Sequence, residues 1–100
     1  MSPSPGQAHV SVRFRGRVQG VGFRYTVARL AQDLPVQGFV MNLADGSVRM
    51  EAEGDRADLE RLLGAIHESE LGPGVRDCHL RWGEATSRFR GFRIRYQTLE

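Results

Sequence analysis

His9-Val10-Ser11-Val12-Arg13-Phe14-Arg15 runs into Gly16-Arg17-Val18-Gln19-Gly20-Val21-Gly22, and that into Phe23-Arg24-Tyr25-Thr26-Val27. Two periodicities meet in this stretch across a glycine-rich break. In the first segment Val10, Val12 and Phe14 alternate with polar neighbours, the signature of a strand buried on one face. The second places three glycines within seven residues and calls for a loop of unusual backbone shape. In the third, apolar residues switch to helical spacing: Phe23, Val27, Leu30, Ala31 and Leu34 form one stripe. Pro35 stops that helix.

Outward from this strand–loop–helix unit, Val36 to Leu43 is apolar and β-prone, and Asp45-Gly46 marks a tight hairpin. Ser47 to Glu53 alternates again, with Val48, Met50 and Ala52 inward. Asp55 is a natural N-cap, Asp58 reinforces the first turn, and Leu59, Leu62, Leu63 and Ile66 give a second helix its buried face. Leu71-Gly72-Pro73-Gly74 breaks the pattern. Two more strands follow, Val75–Glu84 and Gly91–Tyr96, the latter with Phe92, Ile94 and Tyr96 on the core face. Strand, helix, strand, strand, helix, strand plus one extra strand is the split βαβ, ferredoxin-like α+β plan. In it, two helices cover one face of a mostly antiparallel sheet of four to five strands. That plan hosts many unrelated functions, so function must come from a site.

One hundred residues make one domain, and 40% hydrophobic with 26% charged residues is ordinary globular usage. Disordered, collagen-like and membrane-spanning chains are excluded on these grounds. Residues 1–7 read as a frayed tail without the cationic start or apolar run of a signal peptide, leaving 8–100 as the single domain. Formal net charge is +2, and every basic side chain is Arg, whose planar fork suits carboxylate and phosphate groups. The lone Cys78 precludes an internal disulfide and a Cys-x-x-Cys metal pair, pointing to a cytoplasmic protein.

A glycine loop feeding a helix N-terminus presents unpaired N–H groups and the positive end of the helix dipole, a natural anion cradle. Arg24, second in that helix, lies beside the core stripe near the mouth of the loop and can hold two phosphate oxygens at once. Gly16, Gly20 and Gly22 do not fit G-x-G-x-x-G, and without Lys there is no P-loop. Asn42 ends its strand on the side of Val36, Gly38 and Val40; a turn-forming residue or a neutral amide holding a water or an oxyanion both fit it. His9, His67 and His79 lie on separate elements without ligand spacing, so no metal site is expected. Cys78 and His79 point to opposite faces of a strand. Arg90-Gly91-Phe92-Arg93-Ile94-Arg95-Tyr96 is close to the aromatic strand of RNA-recognition motifs but stands last rather than third, and a core role for its apolar residues accounts for it better.

Together these segments resemble the acylphosphatase family over nearly the whole chain. Gly16 to Arg24 fits its G-x-V-Q-G-V-x-F-R signature at every fixed position. Gly38-Phe39-Val40-Met41-Asn42, followed by Gly46, Val48 and Gly54, fits the second signature, and Phe92-x-Ile94-x-Tyr96 matches the close. Met41 stands where a basic residue is common in the family, and Pro35 where Gly often ends the helix. The resemblance implies hydrolysis of acyl phosphates to a carboxylate and inorganic phosphate, with no metal and no cofactor. It implies that Arg24 grips the phosphoryl group together with the backbone amides of Gln19, Gly20, Val21, Gly22 and Phe23, and that Asn42 orients the attacking water. The expected partners are a small acyl phosphate and inorganic phosphate as product and inhibitor, for a monomer that binds neither nucleic acid nor membrane. Two other readings stay open: a nucleic-acid-binding module using the Arg-rich strands, and a phosphate-loop domain acting on carbamoyl phosphate.

Overall fold

The alternation of Val10, Val12 and Phe14 produces strand β1, Gln7–Gly16, in a computed structural model that describes residues 6–96. β1 begins two residues ahead of the expected start at His9. Gly6 O accepts the Arg56 N–H at 3.0 Å, and Gln7 Nε2 donates to Asp55 Oδ1 at 2.8 Å. Of the tail expected over 1–7, Gly6 and Gln7 are therefore held in the fold, and residues 1–5 lie outside the described residues, as do 97–100.

The remaining elements are α1 (Phe23–Gln32), β2 (Gln37–Asn42), β3 (Val48–Asp55), α2 (Arg56–Glu68), a short 3-10 turn at Gly72–Gly74, β4 (Val75–Glu84) and β5 (Phe92–Arg95). They form one five-stranded sheet of order β4-β1-β3-β2-β5. All pairings are antiparallel except β2 with β5. β4 beside β1 completes the ferredoxin-like unit, and β5 is the added edge strand. α1 and α2 lie on one face, where Val10, Val12 and Phe14 meet Phe23, Val27, Leu59, Leu62 and Ile66, all fully or almost fully buried. Each such side chain contributes on the order of 1.5–3 kcal/mol through burial.

Four local expectations change. α1 ends at Gln32, short of Leu34, because Pro35 disfavours helical backbone at the residue before it. Leu34 instead closes a turn by donating to Ala31 O at 3.1 Å and still packs on the core. Asp55 occupies the N-cap position of α2, but its side chain caps nothing; Gln7 takes its carboxylate, and Gly6 O serves the first helical N–H. The β2–β3 connection spans 43–47 rather than a two-residue turn, with Ser47 N–H and Oγ both donating to Asp45 Oδ1. Those two bonds, ahead of the nearby Arg13 and Arg15, hold the Asp45 carboxyl below its ordinary range. Tyr96 is 63% exposed, so the core face of β5 ends with Phe92 and the half-buried Ile94. Gly38 is required by a close approach: a Cβ there would fall 1.8 Å from Glu51 O on the paired strand.

The sheet's other face carries residues 85–91, which link β4 to β5 and are fastened by one charged cluster. The two oxygens of Glu53 accept from Thr86 N–H, Thr86 Oγ and Ser87 N–H at 2.7–2.9 Å. His9 faces Glu53 through Nδ1 at 2.6 Å and Glu51 through Nε2 at 2.5 Å. Only the imidazolium has a proton for both carboxylates. Burial alone would lower the His9 pKa, but its bonds to Glu53 and Glu51 outweigh burial and raise it above 6.5. Burial would raise both glutamates, and their hydrogen bonds reverse this, leaving them below 4.5. The His9 contribution to stability is thus fully present below pH 6.5 and is lost as pH climbs through the raised folded value. The glutamate contributions are present above pH 4.5 and are lost as pH falls through their lowered folded values. Thermal unfolding should therefore show this cluster at its strongest between pH 4.5 and 6.5. His9→Gln should flatten the decline on the alkaline side; an unchanged slope would assign that decline elsewhere.

Candidate active site

A single row of register partners assembles the site. Phe14 on β1 lies opposite Val48 on β3, and Val48 lies opposite Asn42 on β2. At strand spacings near 4.8 Å this puts Asn42 roughly 10 Å from Phe14, on the face that carries the helices. Phe23, first residue of α1, packs on Phe14 with ring centroids 5.0 Å apart at 66°. Arg24 follows it. The same row therefore fixes the start of α1 and the end of β2, and the loop 17–22 spans the space between them.

That loop is tied down at both ends and in the middle. Arg17 N–H donates to Gly74 O at 2.9 Å, Val18 is buried in the core, and Gln19 Nε2 donates to Leu43 O at 2.8 Å and Ser47 O at 2.9 Å. The Gln19 amide thus fastens the loop to the β2–β3 connection immediately after Asn42. Gly20 and Gly22 have φ of 76° and 83°, a left-handed backbone that favours glycine. A Cβ at either position would meet nothing within 4 Å, so conformation and not space requires the glycines. Gly22 is the N-cap of α1 and provides no capping side chain, and the first turn holds no acidic residue. Thr26 N–H bonds back to Gly22 O at 3.0 Å, which leaves the N–H groups ahead of it without acceptors in the helix. With Gly20, Val21 and Gly22 exposed, an electropositive main-chain cradle opens to solvent.

Arg24 is half-buried, and its guanidinium carbon lies 5.1 Å from the centre of the Tyr96 ring. Tyr96 Oη in turn lies 3.4 Å from Tyr25 Oη. Among the described residues Arg24 enters no ion pair, so its fork remains available. Asn42 Oδ1 is buried and, among the described residues, accepts no hydrogen bond. The seven residues expected at the site thus fall into one region: Gln19 to Phe23 as the cradle, Arg24 at its helical end, and Asn42 at the strand end to which Gln19 is tied. A groove of about 990 Å³ runs along the outer side of the loop past Arg17, Val21 and Arg76 but includes neither Arg24 nor Asn42. Met41 has Arg49 and Arg95 as its register partners on either side, so two guanidinium groups flank the position where the family commonly has a basic residue.

The acylphosphatase family model matches residues 10–94. The chain belongs to the acylphosphatase family. The acylphosphatase of Salinibacter ruber is 47% identical over 89 residues, covering 89% of this chain and 94% of that protein. That of Paenarthrobacter aurescens is 42% identical, covering 85% and 90%. The crystal structure of acylphosphatase from Bacillus subtilis superposes with a TM-score of 0.82 at 32% identity, covering 89% of this chain and 99% of that one. As an acylphosphatase the chain hydrolyses acyl phosphates, and its fold is that of the family's ferredoxin-like sandwich. No helix among the described residues is long and apolar enough to cross a membrane.

Sequence reasoning missed two contributors to the acylphosphatase site. In sequence Gln19 is expected to act through its backbone amide alone, and the acceptors of its side chain lie more than twenty positions away. Tyr96 reads as core, whereas it extends past the core to stack on Arg24. Replacing Gln19 with Leu removes both donors and leaves Leu43 O and Ser47 O short of partners. Urea unfolding should then show a loss of about 1–3 kcal/mol. Turnover of benzoyl phosphate should fall with it, because the cradle is no longer fixed beside Asn42.

Proposed function

We propose that acyl phosphates are hydrolysed here without a metal, by positioning and charge stabilisation alone. In this reading the backbone N–H groups from Gln19 to Phe23 and the Arg24 fork hold the phosphoryl oxygens, and Asn42 orients the attacking water. The observation that carries it is an uncapped helix N-terminus and a buried Asn42 Oδ1 on one side of the sheet, where among the described residues Arg24 enters no ion pair and Asn42 Oδ1 accepts no hydrogen bond. An anion satisfies the first, and a water donating to Oδ1 satisfies the second.

The chemistry needs little more. Arg stays protonated at neutral pH and Asn does not titrate, so neither acts as a general base. An acyl phosphate releases a carboxylate, whose conjugate acid has a pKa near ~4.3 by analogy with Glu, and it leaves without a proton. Phosphoryl transfer then rests on stabilising charge over the equatorial oxygens and on in-line placement of the nucleophile. The proposal includes a monomer in the cytoplasm, inhibited by its product inorganic phosphate, with neither nucleic acid nor membrane as a partner.

Arg24→Lys keeps a cation but loses the two-pronged geometry, and should cost on the order of 3 kcal/mol or more in kcat/KM. Parent-level hydrolysis of benzoyl phosphate by that variant would remove Arg24 from its role. Asn42→Ala should lower kcat roughly a hundredfold with little change in inhibition by phosphate. Equal losses in both would end the water-orienting assignment. Activity should persist in EDTA, and strict dependence on added metal would overturn the metal-free mechanism.

A further inference from the structure

The sheet face away from the helices sets two guanidinium groups directly across from each other, an arrangement that stability alone does not favour. Arg13 on β1 lies directly opposite Arg49 on β3 and, on its other side, opposite His79 on β4. Like charges directly opposite one another destabilise a sheet. The next row brings Arg81, opposite Ser11, and together these side chains with Arg15 line an open groove of about 540 Å³. Three acids answer this charge only in part. Glu51 serves Arg49 but also His9 and Ser11. Asp45 stands 3.9 Å from both Arg13 and Arg15 at the edge of the groove, and Asp77 is taken by His79. Arg13, Arg15 and Arg49 remain about half exposed.

We infer that this groove is a second anion site, separate from the cradle, which binds a small molecule bearing several linked phosphates. Arg13 and Arg49 stand on adjacent strands about 4.8 Å apart, and Arg81 lies on the diagonal from Arg13, so one extended oligophosphate can bridge all three, each through a fork that suits phosphate oxygens. A single phosphate would satisfy only one of them. Single-stranded nucleic acid fits the face less well, because it needs open aromatic rings on which bases stack. Of the aromatics on this face, Phe39 is 4% exposed and is covered by Arg95 at 4.0 Å and Arg49 at 5.5 Å, and the half-buried Phe89 packs against Phe39 and His9 with Arg88 over its ring. The site does not share the phosphoryl cradle: alternation along β1 sends Arg13 and Arg15 to one side of the sheet and Phe14, on which the start of α1 rests, to the other.

Inorganic tripolyphosphate titrated into the full chain at low salt tests this. Binding should survive Arg24→Ala and weaken at least tenfold in Arg13→Gln/Arg49→Gln, and added salt should weaken it steeply. Without ligand, Arg13→Gln should raise the thermal midpoint at low salt, because it relieves repulsion across the row. Tripolyphosphate lost with Arg24→Ala would place the anion in the cradle and overturn the second site. No binding at millimolar tripolyphosphate would overturn it as well. Tighter binding of a single-stranded oligonucleotide with the same number of phosphates would replace a small oligophosphate by nucleic acid.

Discussion

The pairing of Phe14 with Val48, and of Val48 with Asn42, is the constraint on which the site depends. β-sheet register is quantised: a slip of one residue would turn Asn42 away from the helices and pull Phe14 from beneath Phe23. Register is enforced by the core, because Val10, Val12 and Phe14 must enter it together with Val48, Met50 and Ala52. The same hydrophobic burial that folds the chain therefore sets the distance between a strand end and a helix start. The loop adds only local corrections, with two left-handed glycines to turn the backbone and one glutamine amide to hold it.

Such a site suits an unusually undemanding reaction. A substrate whose leaving group departs unprotonated requires no titrating side chain, and that removes the need for a deep, dehydrated pocket to shift a pKa. Peptide dipoles, a permanently charged fork and a neutral amide do not change state between binding and reaction. Their preorganisation is mechanical, supplied by packing of α1 on β1 and by the tie to the β2–β3 connection. The titrating cluster of His9, Glu51 and Glu53 lies on the opposite face, where it secures the β4–β5 crossing.

Periodicity made most of this legible. Alternation gave β1 and β3 their inward residues, helical spacing gave α1 and α2 theirs, and the side of Asn42 followed from counting along β2. The glycine-loop signature marked where the backbone turns left-handed, because glycine at such positions answers a local backbone need that sequence records directly. Less legible was whatever depends on a distant partner. Asp55 looked like a cap because nothing in its neighbourhood reveals that Gln7 will take its carboxylate. Tyr96 continued the apolar alternation of β5 but meets the exposed side of the first turn of α1, at Arg24 and Tyr25, and not the core. Gln19 found carbonyls that only the folded register brings near. The place of β4 beside β1, with β5 parallel to β2 at the far edge, likewise depended on the crossing strap and not on the strand sequences.

The outermost strands of the sheet carry a further meaning. β4 and β5 each leave one side of their backbone unpaired, the feature by which sheets join to one another and grow into fibrils. Arg76 and Arg81 stand on one of these strands and Arg93 and Arg95 on the other, all exposed. Two copies meeting along these borders would press guanidinium groups together, the kind of charged border that opposes strand-to-strand joining.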